Sequence, residues 1–143
     1  MKFALICTLL TCLSFLASCE KNPSGLSKSE MEEYKNTEWT KEELGLGIAV
    51  RNISRTENYS THLIRLMGKE YPHYHDSHDL NIQVISGSSA LHYETSSIRL
   101  KPGDSVLIPR GTYHWAENVG INASVVFVTF TPPFDGKDRR PSQ

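Results

Sequence analysis

Three histidines lie close together in the middle of the chain. His73 and His75 are two positions apart, and His78 follows shortly after them. On a β-strand, residues two apart face the same side, so His73 and His75 are expected to project together. Two neutral imidazoles side by side are suitable ligands for a divalent transition metal ion. The segment therefore predicts half of a metal site, and a histidine from elsewhere in the chain must complete it.

The completing ligand is expected to be His114, which lies among turn-forming residues at fixed spacing. The fixed positions are Gly103, Pro109, Gly111, His114 and Asn118. The gaps between them are five, one, two and three residues. This spacing resembles the second sequence motif of the cupin superfamily.

The first cupin motif contains a His-x-His pair, an acid and a closing glycine, and it is similar to His73, His75 and Gly87. The resemblance extends over about residues 44–133. It implies an all-β domain built as a single cupin-type jelly-roll β-barrel, which we assign to residues 44–134. It also implies that the ligands of both motifs meet inside the barrel.

The resemblance further implies a fourth protein ligand, usually a glutamate, seven residues before the closing glycine. Leu80 occupies that position here. Asp79 lies one residue before that position, so the alternation of side chains along a strand points it away from the barrel interior unless a bulge changes its direction. The same alternation points His78 toward the interior. We therefore expect His73, His75 and His114 as ligands, with Asp79 as the fourth and His78 as its alternative. The donor set suits Fe, Mn, Ni, Cu or Zn and does not select among them.

The rest of the barrel is predicted from hydrophobic pattern. Beyond Leu44, apolar residues rich in β-branched types form short runs at 48–50, 62–66, 80–85, 90–93, 98–100, 106–108 and 124–130. Runs of this length separated by Gly, Pro, Asn and Ser predict strands and turns. In the third run, Leu80, Ile82 and Val84 alternate with polar residues and should line the core. His62 and His92, isolated on predicted strands, are expected to be structural.

A second kind of chemistry is predicted near the N-terminus. Residues 1–18 carry Lys2 and then an uncharged, mainly apolar run, and they end at Leu16-Ala17-Ser18 before Cys19. The pattern is that of a secretion leader. Its end resembles the lipobox of bacterial lipoproteins, which implies cleavage before Cys19 and acylation of the cysteine, for example with palmitate. The protein is then expected at the bacterial cell envelope, on the periplasmic or another extracytoplasmic face, with its membrane contact made by lipid.

Two flanking segments are assigned outside the barrel. Residues 19–43 are polar and are expected to form a solvated tether, in which Ser27 and Glu30 form a capping box that predicts a short helix. Residues 135–143 follow two prolines that should end the last strand near Thr131, and they are expected to cover the barrel edge or a homodimer partner.

Length and charge limit the function. A chain of 143 residues has room for one domain, and a net charge of -1 with scattered basic residues argues against nucleic acid as a partner. Together, the lipobox and cupin resemblances imply a membrane-tethered cupin that binds a divalent metal, with dioxygenase or isomerase activity as the catalytic options.

The alternative is a non-catalytic envelope cupin with a structural role or with a bound small molecule. An enzyme should place a polar group beside the metal, whereas a binder needs only apolar walls. Polar candidates near the ligands in sequence are Tyr74, Tyr113, Glu117 and Arg110.

Overall fold

The computed structural model describes residues 25–141, so the predicted leader and Cys19 lie outside the described part. Two helices precede ten strands in the order α1 (Lys28–Lys35), α2 (Lys41–Leu44), β1 (Ile48–Arg55), β2 (Ser60–Leu66), β3 (His73–Tyr74), β4 (Asp79–Ser86), β5 (Ser89–His92), β6 (Ser97–Leu100), β7 (Ser105–Ile108), β8 (Trp115–Asn118), β9 (Ser124–Thr131) and β10 (Arg140–Pro141). Each apolar run noted in the sequence lies wholly or largely within a strand, which confirms the prediction of a mainly β domain.

The strands form antiparallel sheets around one core. A five-stranded sheet has the order β1-β2-β9-β4-β7, a three-stranded sheet has the order β6-β5-β8, and β3 pairs with β10. The buried core comprises Leu80, Val84, Leu91, Leu100, Ile108, Val128 and Phe130, with Ile82 packed against it. The alternation predicted for β4 is therefore confirmed, and the sheets are those of a cupin-type jelly roll.

The closing glycine of the first motif lies where two turns meet. Gly87 has a φ of 76°, a left-handed conformation that favours glycine. A Cβ atom at this position would lie 2.6 Å from the Cα of Ser124. The backbone approach at the start of β9 therefore requires the absence of a side chain.

In residues 25–43, the described part of the expected tether, the chain packs against the barrel, so the expectation of a solvated tether was wrong there. Its helix begins at the predicted capping box, where the Ser27 hydroxyl accepts the Glu30 N–H at 3.3 Å and the Glu30 carboxylate accepts the Ser27 N–H at 2.9 Å. A few apolar side chains then cover the outer face of the large sheet: Leu26, Met31, Tyr34 and Trp39 pack against Leu63, Ile85 and Val125. Although these residues are sparse in sequence, they lie on one side of the segment and suffice to bury it. The folded unit therefore starts at least 18 residues before the predicted boundary at residue 44, because Leu26 already packs against the sheet.

The C-terminal residues are also part of the folded unit. Strand β9 ends at Thr131 as predicted, and the chain then returns across the barrel, where Arg140 and Pro141 pair with Tyr74 and His73. The expected cover of a barrel edge is thus present, and it lies on the strand that carries the first histidine.

Candidate metal centre

Three of the predicted ligands meet in the structure. His73 lies on β3, His75 directly after it and His114 directly before β8, and their candidate ligand atoms all lie within 4.8 Å of one another. The two motifs are joined by the backbone, because His73 and His114 exchange N–H···O=C hydrogen bonds of 3.0 Å in each direction. All three side chains are buried, with exposed fractions of 3%, 5% and 2%.

Each of these histidines has one ring nitrogen bound to a main-chain carbonyl. The Nδ1 of His73 donates to the Tyr71 carbonyl at 2.8 Å, and the Nδ1 of His114 donates to the Thr112 carbonyl at 2.9 Å. His75 donates through Nδ1 to the carbonyl of Asp138. A carbonyl oxygen can only accept, so each Nδ1 carries the proton and each neutral ring keeps its lone pair on Nε2.

The Nε2 lone pairs of His73 and His75 face each other. The Nε2 atoms of His73 and His75 are 3.2 Å apart. With both Nδ1 atoms protonated, neither neutral ring can donate across this gap. Two nitrogens about 2.1 Å from a single metal ion are separated by this distance at an N–metal–N angle of about 100°. The donor set therefore fits a metal ion, and carbonyl acceptors behind the ligands are the usual support of such a site.

Burial keeps the rings in the form that a metal needs. Removal from water lowers the pKa of His73 to about 4 and that of His75 to about 4. The pKa of His114 is also lowered, again mainly by burial. All three imidazoles are thus neutral near pH 7 and present lone pairs.

The histidines line one end of a small cavity inside the barrel. Its volume is about 70 Å³. The walls are largely apolar, and the side chains that line it beside the histidines include Leu66, Leu80, Leu91, Val126, Phe130 and Glu70. The cavity is far smaller than the roughly 300 to 1,000 Å³ of pockets for drug-sized ligands, so it fits only a small molecule or part of one.

Comparison with known proteins agrees with this geometry. Residues 64–130, which hold all three histidines, match the family described as Cupin domain. An uncharacterized protein of Aquifex aeolicus is 38% identical over 91 residues, which are 64% of this chain and 74% of that protein.

The chain belongs to the cupin superfamily. Among solved structures, KdgF from a Halomonas species is similar, with 28% identity, a TM-score of 0.59 and coverage of 63% of this chain and 83% of KdgF. An uncharacterized protein with a double-stranded β-helix domain from Klebsiella pneumoniae has the same fold, with a TM-score of 0.60 at 19% identity and coverage of 78% and 95%.

The expected fourth ligand of this cupin, Asp79, does not join the site. Its two carboxylate oxygens bind the Arg110 side chain at 2.8 and 3.2 Å, and one of them also accepts the Arg110 N–H at 2.8 Å. Hydrogen bonds from Arg110 lower the pKa of Asp79 to about 2. The reason is parity, because Leu80 faces the cavity and its neighbour on the strand must face outward.

The alternative ligand, His78, is buried, but its ring nitrogens contact groups outside the histidine cluster. Its Nδ1 faces the carboxylate of Asp138 and its Nε2 faces the Pro133 carbonyl at 3.3 Å. Both ring nitrogens therefore have oxygen partners and none points to the other histidines. Within residues 25–141, the structure gathers three histidines and adds no fourth ligand to them.

The isolated histidines of the cupin are structural, as expected. His92 stacks on Trp115 with ring centroids 4.8 Å apart and pairs with Glu117 at 3.1 Å. His62 bridges Ser60 and Asn52 through its two nitrogens. Neither side chain lines the cavity.

None of the polar candidates near the ligands in sequence reaches the cavity. Tyr74, Tyr113, Glu117 and Arg110 do not line the cavity. Glu70 does, and sequence reasoning missed it because it stands before the first motif, in no recognisable pattern. Its carboxylate accepts the Ala116 N–H at 3.0 Å and the Arg139 side-chain N–H at 3.4 Å.

Asp138 was also missed, although its carbonyl contacts His75 of the histidine cluster and its carboxylate contacts His78. Burial raises the pKa of its carboxyl group, but hydrogen bonds from His78 and from the N–H groups of Ser77 and Asp76 outweigh burial and lower it overall. No local pattern marks this residue, since its partners lie 60 to 63 positions earlier.

Proposed function

We propose that this chain is a lipid-anchored cupin that holds one divalent transition metal ion through His73, His75 and His114 and acts as an oxidoreductase of the dioxygenase type. The observation that carries the metal site is the pair of opposed Nε2 lone pairs 3.2 Å apart. A protonated ring would relieve them, but burial lowers the pKa of both histidines to about 4. A cation between the rings satisfies both at neutral pH.

Three protein ligands would not fill every coordination position of such an ion. When bound, the ion would supply Lewis-acid or redox chemistry at the end of the cavity, with positions open for a small ligand. Neutral nitrogen ligands are suited to Fe, Ni, Cu and Zn and are compatible with Mn. The apolar wall formed by residues such as Leu80 and Phe130 would exclude water from that position.

Glu70 is the group that supports catalysis rather than binding alone. Its carboxylate lines the same cavity as the histidines, and the Ala116 N–H holds one of its oxygens at 3.0 Å. A carboxylate fixed beside a metal-held ligand can accept or return a proton, which is the role we propose for Glu70.

A non-catalytic binding cupin is the second candidate, and the apolar character of the remaining wall favours it. The two candidates differ in what Glu70→Gln does. An enzyme loses turnover while it keeps ligand affinity, whereas a binder has no turnover to lose.

Metal analysis of the leaderless chain, residues 20–143, tests the metal site. We expect about one divalent ion per chain in the wild type and severe loss in His114→Ala and in a His75→Ala, His114→Ala double variant. His92→Ala and Asp79→Ala are matched controls that should retain the metal, since neither residue lines the cavity. Full metal content in His114→Ala would refute the site.

Oxygen uptake tests the dioxygenase type. Chains loaded separately with Fe(II), Mn(II), Ni(II) or Cu(II) are mixed with a panel of small organic substrates that fit the cavity, and oxygen consumption is followed with an electrode. Substrate-dependent uptake that Glu70→Gln reduces by about 10² or more would support the proposal. The absence of uptake with every ion and substrate would favour the binding cupin.

We further propose that acylated Cys19 holds the protein at the bacterial cell envelope. In residues 25–141, no helix has the length and apolar character needed to cross a membrane. Metabolic labelling with a palmitate analogue in a bacterial host should mark the wild type and not Cys19→Ser, and the wild type should sediment with membranes. Equal labelling of both chains would exclude this anchor.

A further inference from the structure

The C-terminal strap, residues 135–141, lies across the strand that carries the first metal-site histidine. Its final residues form β10, in which Arg140 and Pro141 pair with Tyr74 and His73 of β3. The Arg140 side chain binds both oxygens of Asp76 at 2.7 and 2.9 Å and lies over the Tyr74 ring at 4.1 Å. The strap is therefore fastened to both sides of His75.

Two of the three clustered histidines are oriented locally and the third is not. His73 and His114 each donate to the carbonyl two residues earlier in the chain. His75 donates instead to the carbonyl of Asp138, 63 residues later. The ring orientation and tautomer of His75 thus depend on the strap, whereas the carbonyls that accept from the other two rings belong to their own loops. The strap also contacts His73, because a side-chain nitrogen of Arg139 lies 3.4 Å from its Nδ1.

The side chain of Asp138 fixes the strap in that place. Its carboxylate accepts the N–H groups of Asp76 at 3.0 Å and Ser77 at 2.9 Å and also binds the Nδ1 of His78. The loop after His75 is therefore wrapped around one carboxylate whose main-chain carbonyl holds the histidine. Within the strap, the Asp135 carboxylate accepts the Lys137 and Asp138 N–H groups at 2.8 and 3.2 Å, which keeps Asp138 turned toward the loop.

We infer that Asp138 is a positioning residue for the metal site: through the strap it sets the tautomer and direction of His75, and so the affinity of the three histidines for a metal ion. The inference rests on the proposed metal function and adds to it a part of the chain that neither cupin motif contains. Carbonyl or carboxylate partners behind a ligating histidine typically account for 10- to 100-fold in metal affinity.

The test uses the leaderless chain and three changes. A truncation after Phe134 removes the strap, Asp138→Ala removes its carboxylate anchor, and Asp138→Asn keeps one acceptor oxygen. The matched control is Asp104→Ala, because Asp104 also caps a loop, accepting the Lys101 N–H at 2.9 Å, but does not line the cavity. Co²⁺ affinity is measured by competition with a chelator, together with the visible spectrum of bound Co²⁺.

We expect Co²⁺ affinity to fall about 10- to 100-fold in the truncation, less in Asp138→Ala and least in Asp138→Asn, with a changed Co²⁺ spectrum and no change in Asp104→Ala. Far-UV circular dichroism shows whether each variant remains folded. If the truncation does not fold, Asp138→Ala decides. Affinity within twofold of the wild type in the folded strap variants would overturn the inference.

A metal-free measurement separates this inference from the proposed function. Long-range ¹H–¹⁵N spectra should show His75 as a single Nδ1–H tautomer in the wild type and as a mixture in the strap variants. His114 should keep its tautomer in all of them, and His73 should keep its own in the Asp138 variants, which retain Arg139. If the wild type binds no Co²⁺, the metal function fails and the tautomers alone decide the role of the strap. An unchanged His75 tautomer in Asp138→Ala would overturn that role.

Discussion

Acidification of the metal-free protein should unfold it through the clustered histidines before the carboxylates contribute. The pKa of His73 and of His75 is lowered from 6.5 to about 4 in the folded chain. Between these values the unfolded chain binds protons that the folded chain does not. The stabilisation is therefore complete above about pH 6.5 and is lost as the pH falls toward 4.

The magnitude follows from the same values. A histidine that titrates near pH 4 instead of 6.5 contributes on the order of 3 kcal/mol, at about 1.4 kcal/mol per pH unit. For His73 and His75 together the free energy of unfolding should fall by about 2.4 kcal/mol per pH unit around pH 5, since each unfolded histidine there binds about 0.9 more protons than the folded one. That is a large part of the roughly 5 to 15 kcal/mol typical of a whole domain.

The assay is urea unfolding in the presence of a chelator, followed by tryptophan fluorescence between pH 5 and 7. This range stays above the titration of the acidic groups.

A His73→Asn, His75→Asn variant removes both titrations, while the asparagine NH₂ group can still donate to the carbonyls behind them. We expect its stability to depend much less on pH than that of the wild type. The control His92→Asn, at a half-buried site outside the cluster, should retain most of the wild-type slope. Equal slopes for the wild type and the double variant would refute the reasoning.

Three further predictions concern the fold around the site. Gly87→Ala should lower the free energy of unfolding by about 3 kcal/mol or more in a urea titration, because its Cβ would meet the backbone at Ser124. The control Gly103→Ala should lower it by only about 1 kcal/mol, because Gly103 has a φ of 93° but no atom within 4 Å of the added Cβ. Tyr34→Ala removes a ring stacked 5.3 Å from Phe127 and should cost about 1 to 2 kcal/mol without changing metal affinity in the chelator competition. Arg110→Ala breaks an exposed ion pair with Asp79 and should change stability by less than about 1 kcal/mol, and metal content should stay at the wild-type level.

The parts of the site that sequence predicted are those that depend on neighbours in the chain. The two-residue spacing placed His73 and His75 on one side of the chain, and the second motif supplied His114. Strand parity also indicated that Leu80 would face inward and that Asp79 would face away. These features follow from the alternation of side chains along a strand, which is a property of the local backbone.

For the helix before the barrel, the sequence predicted where it starts but not that it packs on the sheet. The capping box at Ser27 fixed the start of α1 correctly, because it joins residues three apart. Its docking on the sheet was not predicted, since the few apolar residues gain their value only when a complementary surface such as that around Phe127 is present. Burial depends on both partners, and the sequence of the helix contains only one of them.

By itself, then, the sequence determined the strands, their turns and three candidate ligands, because each follows from spacing along the chain. Only the tertiary structure decided what surrounds those ligands. It turned Asp79 toward Arg110, brought Glu70 to the cavity wall and placed Asp138 behind His75. Hydrogen bonds between groups 31 to 63 residues apart produce no periodic pattern in a sequence, since any donor and acceptor of the right type can form them once the fold brings them within reach.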